Sequence, residues 1–270
     1  MALLDGRVAF IMGAARGQGR HHAVRFAREG AHVIALDVCA PISEDVGYPA
    51  ATPEDLEETA RLVRAEGREI VTAIGDVRDQ RALQDAVDAG VERFGRLDIV
   101  VANAGISTWN RFWEMPEEQW TTMIDINLNG VWRTLKAAVP AMIGGGRGGS
   151  IIVVSSAAGL KAAPGTANYT SAKHGLVGLT KTAAIELGEF GIRVNSIHPS
   201  AVDTPMGNDV NVGKLLARYP RYVDNYKWPL AGMDKCGVDD ISDAVLYLAS
   251  DASRTVTGAQ LPLDLGLTTV

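Results

Sequence analysis

The chain is short of cysteine, of aromatic residues, of positive charge and of long apolar runs, and each shortage closes off a class of function. Two cysteines, Cys39 and Cys236, are too few for a disulfide framework and fit no metal-ligand spacing. Free thiols in a reducing compartment are therefore expected, and no metal site. Lys and Arg number 26 against 32 Asp and Glu, a net charge of -6, so the electrostatic footprint of a nucleic-acid binder is missing. No apolar run approaches the roughly 18 residues that span a bilayer. The opening Ala2-Leu3-Leu4-Asp5-Gly6-Arg7 lacks the basic and apolar regions of a signal peptide, and a soluble cytoplasmic protein is expected. Aromatics are only 6% of the chain, yet Tyr219, Tyr222, Tyr226 and Trp228 fall in one stretch.

What is present is an ordinary composition, 47% hydrophobic and 21% charged, with enough apolar material for a sizeable core. Short apolar runs at 8–12, 32–37, 70–76, 99–102, 151–155 and 193–198 alternate with amphipathic stretches, and 259–264 adds a last short run. The runs are rich in Val and Ile and apolar throughout, as strands covered on both faces must be. Helical patterns lie between them at 19–29, 54–66, 80–94, 117–143, 171–190 and 238–249, several stopped by a glycine (Gly30, Gly67, Gly95, Gly191). This rhythm predicts a Rossmann-type α/β fold: a doubly wound parallel sheet of about seven strands with helices on both faces, in one domain over 1–270. Two segments interrupt it, 38–53 and 205–234, both rich in proline and both longer than a usual connection. Long loops on a rigid scaffold are where binding groups concentrate.

Gly13-Ala14-Ala15-Arg16-Gly17-Gln18-Gly19 lies between the first strand and the first helix. Glycines there let the backbone turn and approach a pyrophosphate, which the helix N-terminus then receives. Asp37 closes the second strand, 18 residues past Gly19. A carboxylate at that place accepts hydrogen bonds from both adenosine-ribose hydroxyls and repels a 2′-phosphate, which favours NAD over NADP. Arg16, within the glycine loop, is the residue that would favour NADP. Downstream, Tyr169 and Lys173 stand four residues apart and share a helix face. A nearby cation stabilises a phenolate, so the pair can move a proton to or from an alcohol oxygen. Ser155-Ser156 ends the fifth run, Asn127 sits in a long helical pattern that it suits poorly, Asn103-Ala104-Gly105 follows the fourth run, and His198-Pro199 closes the sixth.

In this order and spacing the chain resembles the short-chain dehydrogenase/reductase family along nearly its whole length. The matching pieces are Gly13-x3-Gly17-x-Gly19, Asp76-Val77, Asn103-Ala104-Gly105-Ile106, Asn127, Ser156, Tyr169-x3-Lys173 and Thr204. The resemblance implies a catalytic tetrad of Asn127, Ser156, Tyr169 and Lys173; the family's spacing of 13 residues to the Tyr selects Ser156 over Ser155. It implies that Lys173 also holds the nicotinamide ribose and that the surroundings of the Asn127 carbonyl order a water for proton relay. Gly13, Arg16, Gly17, Gln18, Gly19, Asp37 and Val38 would take the adenosine and phosphates, Asp76 and Val77 the adenine, and Asn103, Ala104 and Gly105 the ribose. Pro199, Val202 and Thr204 would flank the nicotinamide, with His198 structural. Two positions depart from the family pattern: Met12 stands where a Thr is usual, and Pro199-Ser200 replaces Pro-Gly.

The insertion running from Val38 through Tyr48-Pro49 to Pro53 resembles that of the actinobacterial, mycofactocin-associated branch, similar to carveol dehydrogenases. There it covers the adenosine end of the cofactor, which implies NAD held without free exchange and reoxidised by an external electron carrier. The 205–234 stretch is expected to roof a hydrophobic secondary alcohol or ketone, with Trp109, Trp113, Tyr219, Tyr222, Tyr226 and Trp228 as candidate walls. The family implies a homotetramer built partly through 117–143 and 171–190. Two rivals stay open: an NADP-dependent carbonyl reductase, against which Asp37 speaks, and a sensor or scaffold that binds NAD without catalysis. The second would have tolerated loss of Tyr169 or Lys173, and neither is lost.

Overall fold

The computed structural model describes residues 2–270. Seven parallel strands, β1 (Val8–Met12), β2 (His32–Asp37), β3 (Ile70–Ile74), β4 (Ile99–Ala102), β5 (Gly149–Val154), β6 (Ile192–Pro199) and β7 (Gln260–Leu263), form one sheet in the order 3-2-1-4-5-6-7. The alternation of side chains along a strand explains the uninterrupted apolar runs. Val8, Phe10 and Met12 enter one core, while Ala9 and Ile11 enter the other. The first core is closed by α3 (Gln80–Phe94), α4 (Glu117–Ile124), α5 (Gly130–Gly145) and α6 (Ala167–Leu187), through Leu83, Met123, Leu135 and Leu176 among others. The second is closed by α1 (Gly17–Arg28), α2 (Pro53–Ala65) and α8 (Val238–Ala249), through Phe26, Leu56 and Val245.

The glycines expected to stop helices do so: Gly30, Gly67, Gly95 and Gly191 all adopt positive φ, between 68° and 94°. Only glycine takes this conformation at no steric cost. The chain winds outward from β1 to β3 and returns to β1's other side at β4. The crevice between those two directions, at the carboxyl ends of β1 and β4, is where such sheets hold ligands.

Three sequence expectations need correction. The single helix expected over 117–143 is α4 and α5 joined by a π turn, Asp125–Asn129. The helix expected from 171 begins at Ala167, which places Tyr169 in its first turn. The 205–234 stretch is not a bare loop: it carries α7 (Val210–Arg218), capped by the Asp209 carboxylate on the Asn211 amide at 2.8 Å, and a 3-10 turn over Pro220–Asn225. The 38–53 insertion contains no strand. It is packed down all the same, with Ile42 and Val46 against the first core and Cys39 and Ala51 against the second.

Candidate active site

A cleft opens at the switch point and runs from Asp37 and Asp76 at one end to Asn127, Tyr169 and Lys173 at the other. At the first end, Gly13 (φ 66°) and Gly17 (φ 55°) make the turn. Gly19 packs so closely that a Cβ would overlap the Gly13 carbonyl. Gly19 is thus a packing residue of the turn rather than a wall of the cleft. The hydrogen bond that Met12 cannot offer is replaced from elsewhere. Asn103 Nδ2 donates to the Met12 and Gly13 carbonyls at 3.0 and 3.2 Å, and Asp37 Oδ2 accepts from the Ala15 amide at 2.9 Å.

This end fits a dinucleotide on three observations. The N-terminus of α1 carries no side-chain cap and no acid in its first turn, so its amides keep their donor capacity. Gln18 Oε1 is buried at the cleft without a partner. The Asp37 carboxylate, 8% exposed, stands at the cleft wall beside Val38. Asp76 and Val77 follow β3 on the same wall. Burial alone would raise the Asp76 carboxyl, but Arg78, paired with it at 2.6 Å, holds it below the usual range. Arg16 is turned away from any phosphate role: its guanidinium donates to the Pro49 and Ala50 carbonyls of the insertion.

At the far end, the π turn gives Asn127 its place. Its side chain is fully buried, with Oδ1 accepting from the Ile106 amide at 3.2 Å and Nδ2 donating to the Met123 carbonyl at 3.2 Å. Gly105 is required beside it, since a Cβ there would stand 2.6 Å from Asn127 Oδ1 and 3.7 Å from Lys173 Nζ. The two serines divide their roles. Ser155 Oγ donates to the Lys173 carbonyl at 3.0 Å and ties α6 to the sheet. Ser156 Oγ instead accepts from the Ala158 amide at 3.1 Å and donates to the Pro199 carbonyl at 3.4 Å, near enough to the Tyr169 phenol to pull its pKa down. His198 braces that serine, its Nδ1 against the Ser156 carbonyl and its Nε2 against Ser196 Oγ, both at 2.8 Å. Burial lowers its pKa, and with both nitrogens engaged it is a brace rather than a base.

The Tyr169–Lys173 pair departs from the simple expectation that the ammonium depresses the phenol. Lys173 Nζ donates to the Val154 carbonyl at 2.9 Å and lies 5.5 Å from the Tyr169 ring centre. In the chain by itself burial outweighs the neighbouring charge. The phenol is pushed up to about 12, even with the nearby Ser156 hydroxyl pulling it down. The ammonium is pushed down to about 7.

Of the residues expected to flank the nicotinamide, Thr204 lines the cleft, while Val202 is buried in the second core and Pro199 offers its carbonyl to Ser156 Oγ at 3.4 Å. The aromatic walls also need correction, because none of the six lines this cleft. Trp113 is 59% exposed, and Arg111 stacks between it and Tyr219. Trp109 and Tyr226 face each other at 6.4 Å, with the Trp109 indole donating to Asp209 Oδ2 at 3.2 Å. The aromatic that does line it, besides Tyr169, is Tyr48 from the insertion, which the sequence reading passed over. An aromatic in the middle of a proline-rich insertion was the available signal.

A doubly wound parallel sheet with a glycine turn after β1 and an acid at the end of β2, both lining the switch-point cleft, is the architecture of dinucleotide-binding proteins. Comparison with known proteins narrows the class. The family profile described as enoyl-(acyl carrier protein) reductase matches residues 13–268. An uncharacterised NAD-dependent oxidoreductase of Mycobacterium tuberculosis is 58% identical, over 97% of this chain and 96% of its own length. A short-chain dehydrogenase from Mycobacterium paratuberculosis, crystallised with NAD, superposes with a TM-score of 0.97 at 48% identity, over 99% of this chain and all of its own. The carveol dehydrogenase of Mycobacterium avium, crystallised with NAD, gives 0.94 at 49% identity over the full length of both. The chain belongs to the short-chain dehydrogenase/reductase family. Among the described residues, no helix is long and apolar enough to cross a membrane.

Proposed function

We propose that the protein is an NAD-dependent oxidoreductase that interconverts a hydrophobic secondary alcohol and its ketone, with Tyr169 as the acid/base. The observation that carries this reading is the convergence of Tyr169, Lys173 and Asn127 at one end of a dinucleotide cleft, with the Ser156 hydroxyl near enough to the Tyr169 phenol to lower its pKa. Asp37 at the other end selects NAD, and the NAD-bound relatives support that choice. NAD supplies the hydride acceptor at carbon and, when oxidised, a positively charged ring. The protein's part is the proton. Ser156 holds the substrate oxygen within reach of the phenol. In alcohol oxidation Tyr169 Oη takes the hydroxyl proton as the C–H bond breaks; in ketone reduction the same group returns it. A phenol near 12 is fully protonated at neutral pH, ready to donate. To act as a base it needs added positive charge, which the Lys173 ammonium supplies while protonated.

The insertion supports a further part of the proposal, NAD held without free exchange and reoxidised by an external carrier such as mycofactocin. Arg16 bonds the glycine loop to Pro49 and Ala50, so the segment over the cleft is fastened to the phosphate-binding turn itself. A cover fastened at that point must detach before the adenosine end can leave, which slows dissociation. The exposed Trp120, Trp132 and Ile185, on α4, α5 and α6, support assembly through these helices into a homotetramer.

The test begins with mass analysis of the nucleotide that survives gel filtration. Turnover then follows with an artificial electron acceptor and a panel of apolar secondary alcohols. NAD(H) should co-elute and the alcohols should turn over, with Tyr169→Phe about 10²–10⁴-fold slower. Wild-type rates in that variant would overturn the mechanism. Cofactor-free enzyme that works with added NAD would overturn the retained-cofactor part alone.

A further inference from the structure

We infer that Tyr48, carried in the insertion, is a specificity-determining residue of the alcohol site, so that the segment covering the cofactor also sets which alcohols fit. The inference rests on the alcohol–ketone reading above. Tyr48 shares the cleft with Asn127, Tyr169 and Lys173, and among the described residues Tyr169 is the only other aromatic ring in its walls. The Tyr48 oxygen accepts from the Ser107 amide at 3.2 Å, just beyond the Asn103–Gly105 turn. The phenol is close enough to Tyr169 to help raise its pKa.

Position alone would not make a wall, but Tyr48 is fixed where it stands. Its neighbour Gly47 lies so tightly against the start of α7 that a Cβ would overlap Asp209 Oδ1. Asp209 is itself buried, bonded to the Trp109 indole and to the Asn211 amide. Asn211 in turn donates from Nδ2 to the Asp45 carbonyl at 3.3 Å. The insertion is thus pinned on both sides of the cleft, by Arg16 at the glycine loop and by Asp209 and Asn211 at the start of α7. A ring held in this way limits the bulk that can approach Tyr169, because it cannot swing aside at low cost.

The charges nearby restrict the substrate further. The cations in the cleft walls are Arg16, occupied by two carbonyls, and Lys173, bonded to the Val154 carbonyl and pushed down to about 7. The buried Asp209 carboxylate stands behind Gly47. Among the described residues, no other cation lines the cleft, so an anionic substrate would have only the buried, half-charged Lys173 to pair with. The alcohols that fit are neutral, with hydrocarbon bulk bounded by one aromatic face.

The experiment uses cofactor-loaded enzyme, an artificial electron acceptor and a graded series of neutral secondary alcohols, from an open four-carbon chain through a single ring to a bicycle. Tyr48→Ala should move the ratio of kcat/KM for the bicycle over the small alcohol upward by about tenfold or more, mainly through KM. Tyr48→Trp, which fills rather than empties the space, should move it downward. Tyr48→Phe should hold it within about threefold. Ratios unchanged in both Tyr48→Ala and Tyr48→Trp, with kcat falling equally for every alcohol, would reduce Tyr48 to a structural part and overturn the assignment. A wild-type enzyme inactive on the whole series would instead overturn the alcohol reading, and this inference with it.

Discussion

Replacing Lys173 by methionine should stabilise the cofactor-free protein while removing its activity. The side chain is 3% exposed, and burial drops its pKa from 10.5 to about 7. The folded chain therefore releases a proton near neutrality that the unfolded chain keeps until pH 10.5. At pH 7 this difference costs the fold about 4 kcal/mol. Methionine, unbranched and of similar length, fills the same slot without a charge. Its loss is the hydrogen bond to the Val154 carbonyl, which would be left without that donor at a cost of about 1–3 kcal/mol. The balance favours the variant by about 1–3 kcal/mol, or several degrees in Tm for a domain of this size.

The pH dependence makes the test sharper than a single Tm. Between pH 7 and 10.5 the unfolded state binds more protons than the folded one, so stability rises with pH across that window. From pH 7 to 9 the wild-type protein should gain about 2 kcal/mol from Lys173 alone, and the variant should lack that gain. Urea denaturation of nucleotide-stripped protein at pH 7, 8 and 9 measures both quantities. A variant less stable than wild type at pH 7, with the same slope against pH, would refute the reasoning.

Gly19→Ala should abolish cofactor retention with the far-ultraviolet dichroism intact, because its Cβ would force the Gly13 carbonyl out of the turn; nucleotide at wild-type stoichiometry would contradict this. His22 offers an acid-side stability test, since burial first and His21 second lower its pKa to about 3. Ser242 Oγ already donates to the Val238 carbonyl, so it accepts from His22 Nδ1, and the buried Nε2 has no partner to take a proton to. Stability should fall as pH drops below 6.5, by about 2 kcal/mol at pH 5, and His22→Gln should flatten that fall in urea titrations.

The strands were legible because burial on both faces leaves one unbroken apolar signature, as in Val8–Met12. The helix ends were legible because Gly30, Gly67, Gly95 and Gly191 must take positive φ. The π turn at Asn127 was not. One extra residue in a helix barely disturbs a 3.6-residue apolar pattern, and Met123 and Val131 are buried on either side of it. The sequence marked Asn127 as out of place in a helix, and the structure shows the backbone giving way around it. The pKa of the Tyr169–Lys173 pair was misjudged for a related reason. Spacing gives the distance between two groups but not the desolvation that Val154 and the surrounding core impose on both.

The division between what was read and what was missed follows sequence separation. The chemical end of the cleft is built from short-range relations: Tyr169 and Lys173 on one helix turn, Ser156 at the end of the strand before it. Such relations survive as fixed spacings. The selective end is built from contacts between distant segments, Tyr48 with Ser107, Gly47 with Asp209, Arg16 with Pro49 and Ala50. No spacing encodes these, because the intervening chain can lengthen or shorten without disturbing them. One consequence is that substrate range and cofactor hold need not vary independently in this protein. The insertion that touches the glycine loop at Pro49 presents its ring to the Tyr169–Lys173 end of the cleft one residue earlier, at Tyr48. A change that loosens either anchor, at Arg16 or at Asp209, should therefore alter nucleotide retention and alcohol preference together.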